Sequence, residues 1–146
     1  MRTICCLTFF LLGAVGMTVP AMSQQIVKPE LGSALRAEIL DAARPVFERE
    51  TGGPVEFVIN TLNVLDTWAY GNVRLQRPGG GRIDWSRTKY AEADAEGMFD
   101  PAGNQFLLRK SDAGEWMLVE YALGPTDVAW DWWRQQLNLP EALFTN

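Results

Sequence analysis

The sequence contains no histidine, and its two cysteines are adjacent near the amino terminus, at Cys5 and Cys6. Without histidine, the chain cannot build a Ser-His-Asp or Cys-His catalytic site. A zinc, haem or copper site that depends on imidazole or thiolate ligands is excluded wherever both residue types are missing. We therefore expect a domain with no catalytic residue of these classes and no cofactor. We also expect no metal ligand, because the acidic run over residues 92–97 starts with Glu where a calcium loop has Asp, and its twelfth position is Gly103 instead of Glu.

The amino-terminal segment has the pattern of a secretory signal peptide. Arg2 supplies the positive charge, and residues 4–15 form an apolar run that is broken only by Thr8. This run is too short to cross comfortably about 30 Å of hydrocarbon. We therefore expect a signal peptide over residues 1–23 and no stable membrane span after its removal.

Small residues follow the apolar run at the positions that a signal peptidase recognises. Ala21 and Ser23 occupy these two positions, so the pattern predicts cleavage between Ser23 and Gln24, with cleavage after Ala21 as the alternative. The mature chain would then have no thiol. A secreted domain without disulfides is compatible with the bacterial periplasm, which is the compartment we expect.

The net charge limits the class of partner, and the length of the chain limits the number of domains. The net charge is −5, and removal of Arg2 with the leader makes it −6. A mildly acidic protein has no general attraction to phosphate backbones or anionic lipids, so we expect no nucleic-acid partner. Residues 24–146 have the length and composition of a single domain.

The pattern of apolar residues predicts one long helix, four strands and a short final helix. Apolar residues recur at helical spacing from residue 31 to 46, with Ser33 as the N-cap and Gly52 at the end. Strands are predicted from residue 55, with a bulge near Asn60, and over residues 68–76, 106–110 and 116–123. Short helices are predicted within residues 86–96 and over residues 127–137.

Strands in direct succession favour an antiparallel sheet, so the sequence predicts an α+β fold. In this fold the N-terminal helix packs on a curved four-stranded antiparallel sheet, and a short C-terminal helix follows. The order over residues 31–123 resembles the cystatin-like and NTF2-like group of α+β folds. Residues 124–130 resemble the C-terminal segment of small uncharacterised secreted proteins from proteobacteria. The resemblance implies export and this type of fold, but no catalytic residue.

Basic residues concentrate between the second strand and the following loop, where they could bind an anion. Alternation along the strand places Arg74 and Arg77 on opposite faces, and Arg82, Arg87 and Lys89 follow. Ser86 and Lys89 match the S-x-x-K spacing of penicillin-recognising enzymes, but the chain lacks the S-D-N and K-T-G motifs that accompany it. We interpret this match as a coincidence.

Six tryptophans are many for one small domain. We expect Trp130 and Trp133 to close the open end of the sheet, whereas Trp132 points elsewhere. If Trp132 is exposed beside Trp85, an apolar recognition patch results. The candidate ligand-binding residues are Arg74, Arg87, Tyr90, Asp127 and Trp132.

The favoured function is a non-catalytic exported domain that binds a small molecule or a protein partner in the periplasm. The alternative is a small carboxylate-dependent enzyme, an isomerase or hydrolase with an NTF2-like pocket. That alternative requires a carboxylate with a raised pKa inside a cavity, with Asp84, Asp127 and Tyr90 as first candidates. A third hypothesis is a structural or inhibitory partner that adds a strand or a loop to another protein.

Overall fold

A computed structural model describes residues 25–146. The predicted signal peptide over residues 1–23 and the predicted cleavage site between Ser23 and Gln24 lie outside the described residues. Within residues 25–146, none of the helices combines the length and the apolar character that crossing a bilayer requires.

The first helix, α1 (Ala34–Thr51), begins and ends at the predicted residues. The Ser33 hydroxyl accepts a hydrogen bond of 3.3 Å from the backbone N–H of Arg36, which satisfies one of the free donors at the helix start. At the other end Gly52 has a φ of 71°, a conformation that glycine adopts without strain. Ser33 and Gly52 thus fix the length of α1.

Four strands form one antiparallel sheet in the order β1-β2-β3-β4. They are β1 (Glu56–Leu65), β2 (Trp68–Gln76), β3 (Asn104–Lys110) and β4 (Trp116–Ala122). The register of β1 against β2 shifts between Ile59 and Thr61, where the sequence predicted a bulge. The predicted α+β class and the four-stranded antiparallel sheet are therefore confirmed, whereas the curvature of the sheet stays a prediction.

The remaining helical segments are short. The structure has α2 (Ala91–Ala95), α3 (Ala129–Leu137) and two 3-10 turns, Trp85–Arg87 and Glu141–Leu143. The single short helix predicted within residues 86–96 is thus divided between a 3-10 turn and α2. Helix α3 begins two residues later than predicted.

Alternate residues of the central strands contribute to two separate cores. Ala69 and Leu108 are paired across β2 and β3 and belong to the core that also contains Phe47 of α1. Their neighbours Tyr70 and Leu107 are also paired and belong to a second core. Since successive side chains of a strand point to opposite faces, the two cores lie on opposite faces of the sheet.

The C-terminal segment builds the second core. Trp133, Leu143 and Phe144 are buried in it, and Trp130 stacks on Phe144 with ring centroids 5.3 Å apart. This layer is held to β1 by the buried side chain of Asn63. Its amide nitrogen donates hydrogen bonds to the carbonyls of Leu143 at 3.1 Å and Thr145 at 2.8 Å.

Candidate functional site

Three of the five candidate residues lie around one open groove, which we call the Trp132 groove. It has a volume of about 570 Å³ and lies between α2, the loop after β4 and the start of α3. Its lining includes Tyr90, Met98, Asp127, Val128 and Trp132. The structure therefore brings Tyr90, Asp127 and Trp132 together and places two apolar residues beside them.

The loop that forms one wall of the groove is held by Asn104, which is completely buried. The Asn104 carboxamide oxygen accepts from the backbone N–H of Gly124 at 3.0 Å, and its nitrogen donates to the carbonyls of Val73 and Pro101. Gly124 has a φ of 57°, and any side chain at this position would overlap the Phe99 ring. Glycine is therefore required where the loop packs on Phe99.

The groove exposes large apolar side chains to solvent. Trp132 is 65% exposed, Met98 is 63% exposed and Val128 is 57% exposed. The sequence made an apolar recognition patch conditional on an exposed Trp132 beside Trp85. Trp132 is exposed, but Trp85 is buried, and its ring packs 4.7 Å from Phe99. Met98 and Val128 are the exposed apolar residues that accompany Trp132 in the groove.

The carboxylate of Glu50 fixes the side chain of Tyr90, which lines the groove. Its Oε2 accepts from the Tyr90 hydroxyl at 2.9 Å and lies 2.6 Å from Lys89 Nζ, while its Oε1 accepts from the Tyr121 hydroxyl at 3.1 Å. The Glu50 side chain is only 8% exposed. One carboxylate thus joins the end of α1 to the segment before α2 and to β4.

The pKa values of this cluster reflect these contacts. Burial raises the pKa of Glu50, but the hydrogen bonds from Lys89, Tyr90 and Tyr121 outweigh it, so the pKa lies below 4.5. Burial and then the hydrogen bond to Glu50 raise the pKa of Tyr90 to about 12. The direction for Glu50 is opposite to the one that a carboxylate general base with a raised pKa requires.

The predicted basic cluster does not converge on the Trp132 groove. Arg77 donates to the carbonyls of Thr51 at 2.7 Å and Pro54 at 3.0 Å, so it holds the end of α1 against the sheet. Arg74 lines a separate cleft, and the exposed Arg87 lines neither opening. Arg74 and Arg87 therefore do not share a pocket with Tyr90 and Asp127.

The S-x-x-K pair does not form a catalytic arrangement in the structure. Ser86 Oγ donates to Asp84 at 2.6 Å, whereas Lys89 Nζ contacts Glu50. The ammonium group of Lys89 thus contacts the Glu50 carboxylate, and the Ser86 hydroxyl contacts the Asp84 carboxylate.

Sequence reasoning missed Glu50, Met98 and Val128. A signal for Glu50 was present, because it continues the spacing of the buried residues Ile39, Ala43 and Val46 along α1. A carboxylate at a position on the apolar face of a helix indicates a buried polar contact. No comparable signal exists for Met98 and Val128, whose exposure depends on the path of two loops.

Comparison of the chain with known proteins finds no matching family model, no matching curated protein and no matching solved structure.

Proposed function

We propose that the chain is an exported, non-catalytic domain that binds a protein partner in the periplasm through the Trp132 groove. The observation that carries this proposal is the exposure of Trp132, Met98 and Val128 around one groove. Large apolar side chains that share an exposed patch commonly mark an interaction site in a soluble protein. Tryptophan and methionine are also enriched at protein interfaces.

The shape of the groove favours a segment of a protein over a small molecule. Its apolar residues lie at an open surface, and small-molecule sites enclose most of their ligand. Tyr90 offers a ring whose orientation is fixed by Glu50, so little conformational entropy is lost when a partner packs against it. A preorganised aromatic ring of this kind is a typical anchor of a protein interface.

The negative charge of Asp127 indicates what charge the partner carries. Asp127 is exposed beside the apolar residues, and it makes no ion pair within the part of the chain that the structure describes. A basic side chain next to an apolar one would therefore complement the groove. We expect the partner to present a large apolar residue with a lysine or arginine close to it in sequence.

Selection of random peptides on the full chain tests this proposal. Phage-displayed peptides that bind the full chain should share an apolar residue near Lys or Arg. One such peptide, with a fluorescent label, should bind in solution as measured by anisotropy. Trp132→Ala should raise its Kd by about tenfold or more, as expected for an aromatic anchor. Asp127→Asn should raise the Kd more at low ionic strength than at high ionic strength.

Two exposed methionines provide a matched control. Met98 lines the groove, whereas Met117 is 58% exposed on β4 and does not line it. Met98→Ala should weaken peptide binding, and Met117→Ala should leave it unchanged. The proposal is wrong if the selected peptides share no such pattern, or if they bind the Trp132→Ala and Met98→Ala chains as tightly as the unmodified chain.

A further inference from the structure

A second opening, which we call the charged cleft, shares no lining residue with the Trp132 groove. It has a volume of about 430 Å³ and is bordered by the end of β2, the loop that follows and the loop around Pro101. Small-molecule sites commonly occupy roughly 300–1,000 Å³, so the cleft has room for a small ligand. Arg74 is the only one of the five candidate residues in its lining.

The loop after β2 brings a second arginine to the cleft. The backbone N–H of Arg77 donates to the carbonyl of Gly81 at 2.7 Å, which closes a tight turn at the end of the strand. Gly79 and Gly80 have φ values of 82° and 91° within this turn, and glycine adopts such values without strain. The turn reverses the chain, so Arg82 lines the same cleft as Arg74.

The cleft carries balanced charge. Arg74 and Arg82 contribute two positive groups, and Asp84 and Asp94 contribute two negative groups. Within residues 25–146, none of these four side chains forms an ion pair. Opposite charges thus border one cleft without neutralising each other.

Part of the cleft lining, which we call its floor, is apolar. Ile83 and Trp85 are buried there, and Trp85 is fixed by its contacts with Phe99 and Tyr90. A simple anion would be attracted by the arginines but repelled by the aspartates, and a simple cation the reverse. A molecule with an anionic group, a cationic group and an apolar body would match the arginines, the aspartates and the floor.

We infer that the charged cleft binds a zwitterionic small molecule of the amino-acid or short-peptide class. Its carboxylate contacts Arg74 and Arg82, where guanidinium groups can bind both oxygens of a carboxylate. Its ammonium group contacts Asp94, whereas Asp84 already accepts a hydrogen bond from the Ser86 hydroxyl, and its apolar side chain lies on the floor. This site is separate from the Trp132 groove and does not depend on the function proposed for that groove.

Isothermal titration of the full chain with matched leucine derivatives tests the inference. L-leucine and L-leucyl-L-leucine carry both charges, whereas L-leucinamide lacks the carboxylate and N-acetyl-L-leucine lacks the ammonium group. At least one of the two zwitterions should bind at millimolar concentration or below, and each singly charged derivative should bind about tenfold more weakly or worse. Which zwitterion binds better distinguishes a free amino acid from a peptide as the ligand.

Substitutions in the cleft have close controls outside it. Arg74→Gln and Asp94→Asn should each raise the Kd of the zwitterion by about tenfold. Arg87→Gln and Glu92→Gln alter exposed residues that do not line the cleft, and they should leave the Kd unchanged. Trp132→Ala should also leave it unchanged, which separates this inference from the proposed partner site.

Three results would overturn the inference. The first is that no derivative binds. The second is that a singly charged derivative binds as tightly as the better zwitterion. The third is that Arg74→Gln and Asp94→Asn bind the zwitterion as tightly as the unmodified chain while circular dichroism shows that both are folded.

Discussion

Gly71 of β2 lies directly opposite Phe106 of β3, and the Phe106 ring covers the glycine. A methyl group at position 71 would overlap this ring. Phe106 is completely buried, and its ring meets that of Phe47 of α1 edge-on with centroids 6.2 Å apart. The missing side chain of Gly71 therefore makes room for the ring that joins the sheet to α1.

Gly71→Ala should destabilise the fold, because the added methyl group must displace the Phe106 ring from a closely packed core. We expect a loss of about 2–3 kcal/mol in the free energy of unfolding, measured by urea denaturation. Phe106→Leu alone should also cost stability, since it leaves a cavity. The double variant should lose less than the sum of the two single losses. Additive losses would show that the ring does not conflict with the methyl group.

Asn63→Ala should loosen the C-terminal layer. The substitution leaves the carbonyls of Leu143 and Thr145 without their donor, which we expect to cost about 2–3 kcal/mol. Backbone amides near the C terminus should then exchange with deuterium faster than those of α1. Asn60→Ala is the control, because Asn60 is exposed. Equal losses for the two variants would contradict the role given to Asn63.

The elements could be predicted because their signals are local. The N-cap at Ser33 and the αL position of Gly52 each depend on a few neighbouring residues, and so do the bounds of β2. The second core was harder to predict from the sequence. It joins side chains of the sheet to a C-terminal segment, and Asn63 of the first strand bonds to carbonyls of that segment about eighty residues later in the chain. A periodicity pattern does not report such long-range contacts.

The candidate site was predicted only in part for the same reason. Asp127 and Trp132 are close in sequence, so one loop and one turn of helix place both at the groove. Arg74 and Arg87 are separated by the turn that the Arg77–Gly81 pair closes, and its path decides which surface each one reaches. The direction of this turn is not determined by the local sequence pattern.

Glu50→Gln should make the fold less stable at neutral pH but not at low pH. The folded-state pKa of Glu50 lies below 4.5, so its stabilising contribution is complete above about pH 4.5 and is lost as the pH falls through the folded-state pKa. We expect a loss of about 1–2 kcal/mol at pH 7, because charged hydrogen bonds to Lys89, Tyr90 and Tyr121 are removed. Urea denaturation over a pH series measures this difference.

The matched control for Glu50 is Glu92→Gln, which alters an exposed carboxylate on α2. Its stability should follow that of the unmodified chain at every pH. A constant difference between Glu50→Gln and the unmodified chain down to about pH 2 would contradict the assigned pKa direction.

Tyr70→Phe should reduce the loss of stability in alkali. Burial raises the pKa of Tyr70 to about 12, from an ordinary value of 10.0. The folded chain then holds this proton more tightly than the unfolded chain, so stability is full below about pH 10 and is lost as the pH rises toward 12. A shift of this size corresponds to roughly 2–3 kcal/mol. Tyr90 contributes in the same direction, since its pKa is also raised to about 12.

The measurement compares the free energy of unfolding at about pH 8 and about pH 11.5 for the two chains, so that any general cost of Tyr70→Phe cancels. The variant should lose less stability between these pH values than the unmodified chain, because phenylalanine has no proton to release. Tyr90→Phe should act similarly but more weakly, since Tyr90 is only half-buried. Equal alkaline losses in the unmodified and Tyr70→Phe chains would mean that the Tyr70 hydroxyl ionises as readily in the folded state as in the unfolded state.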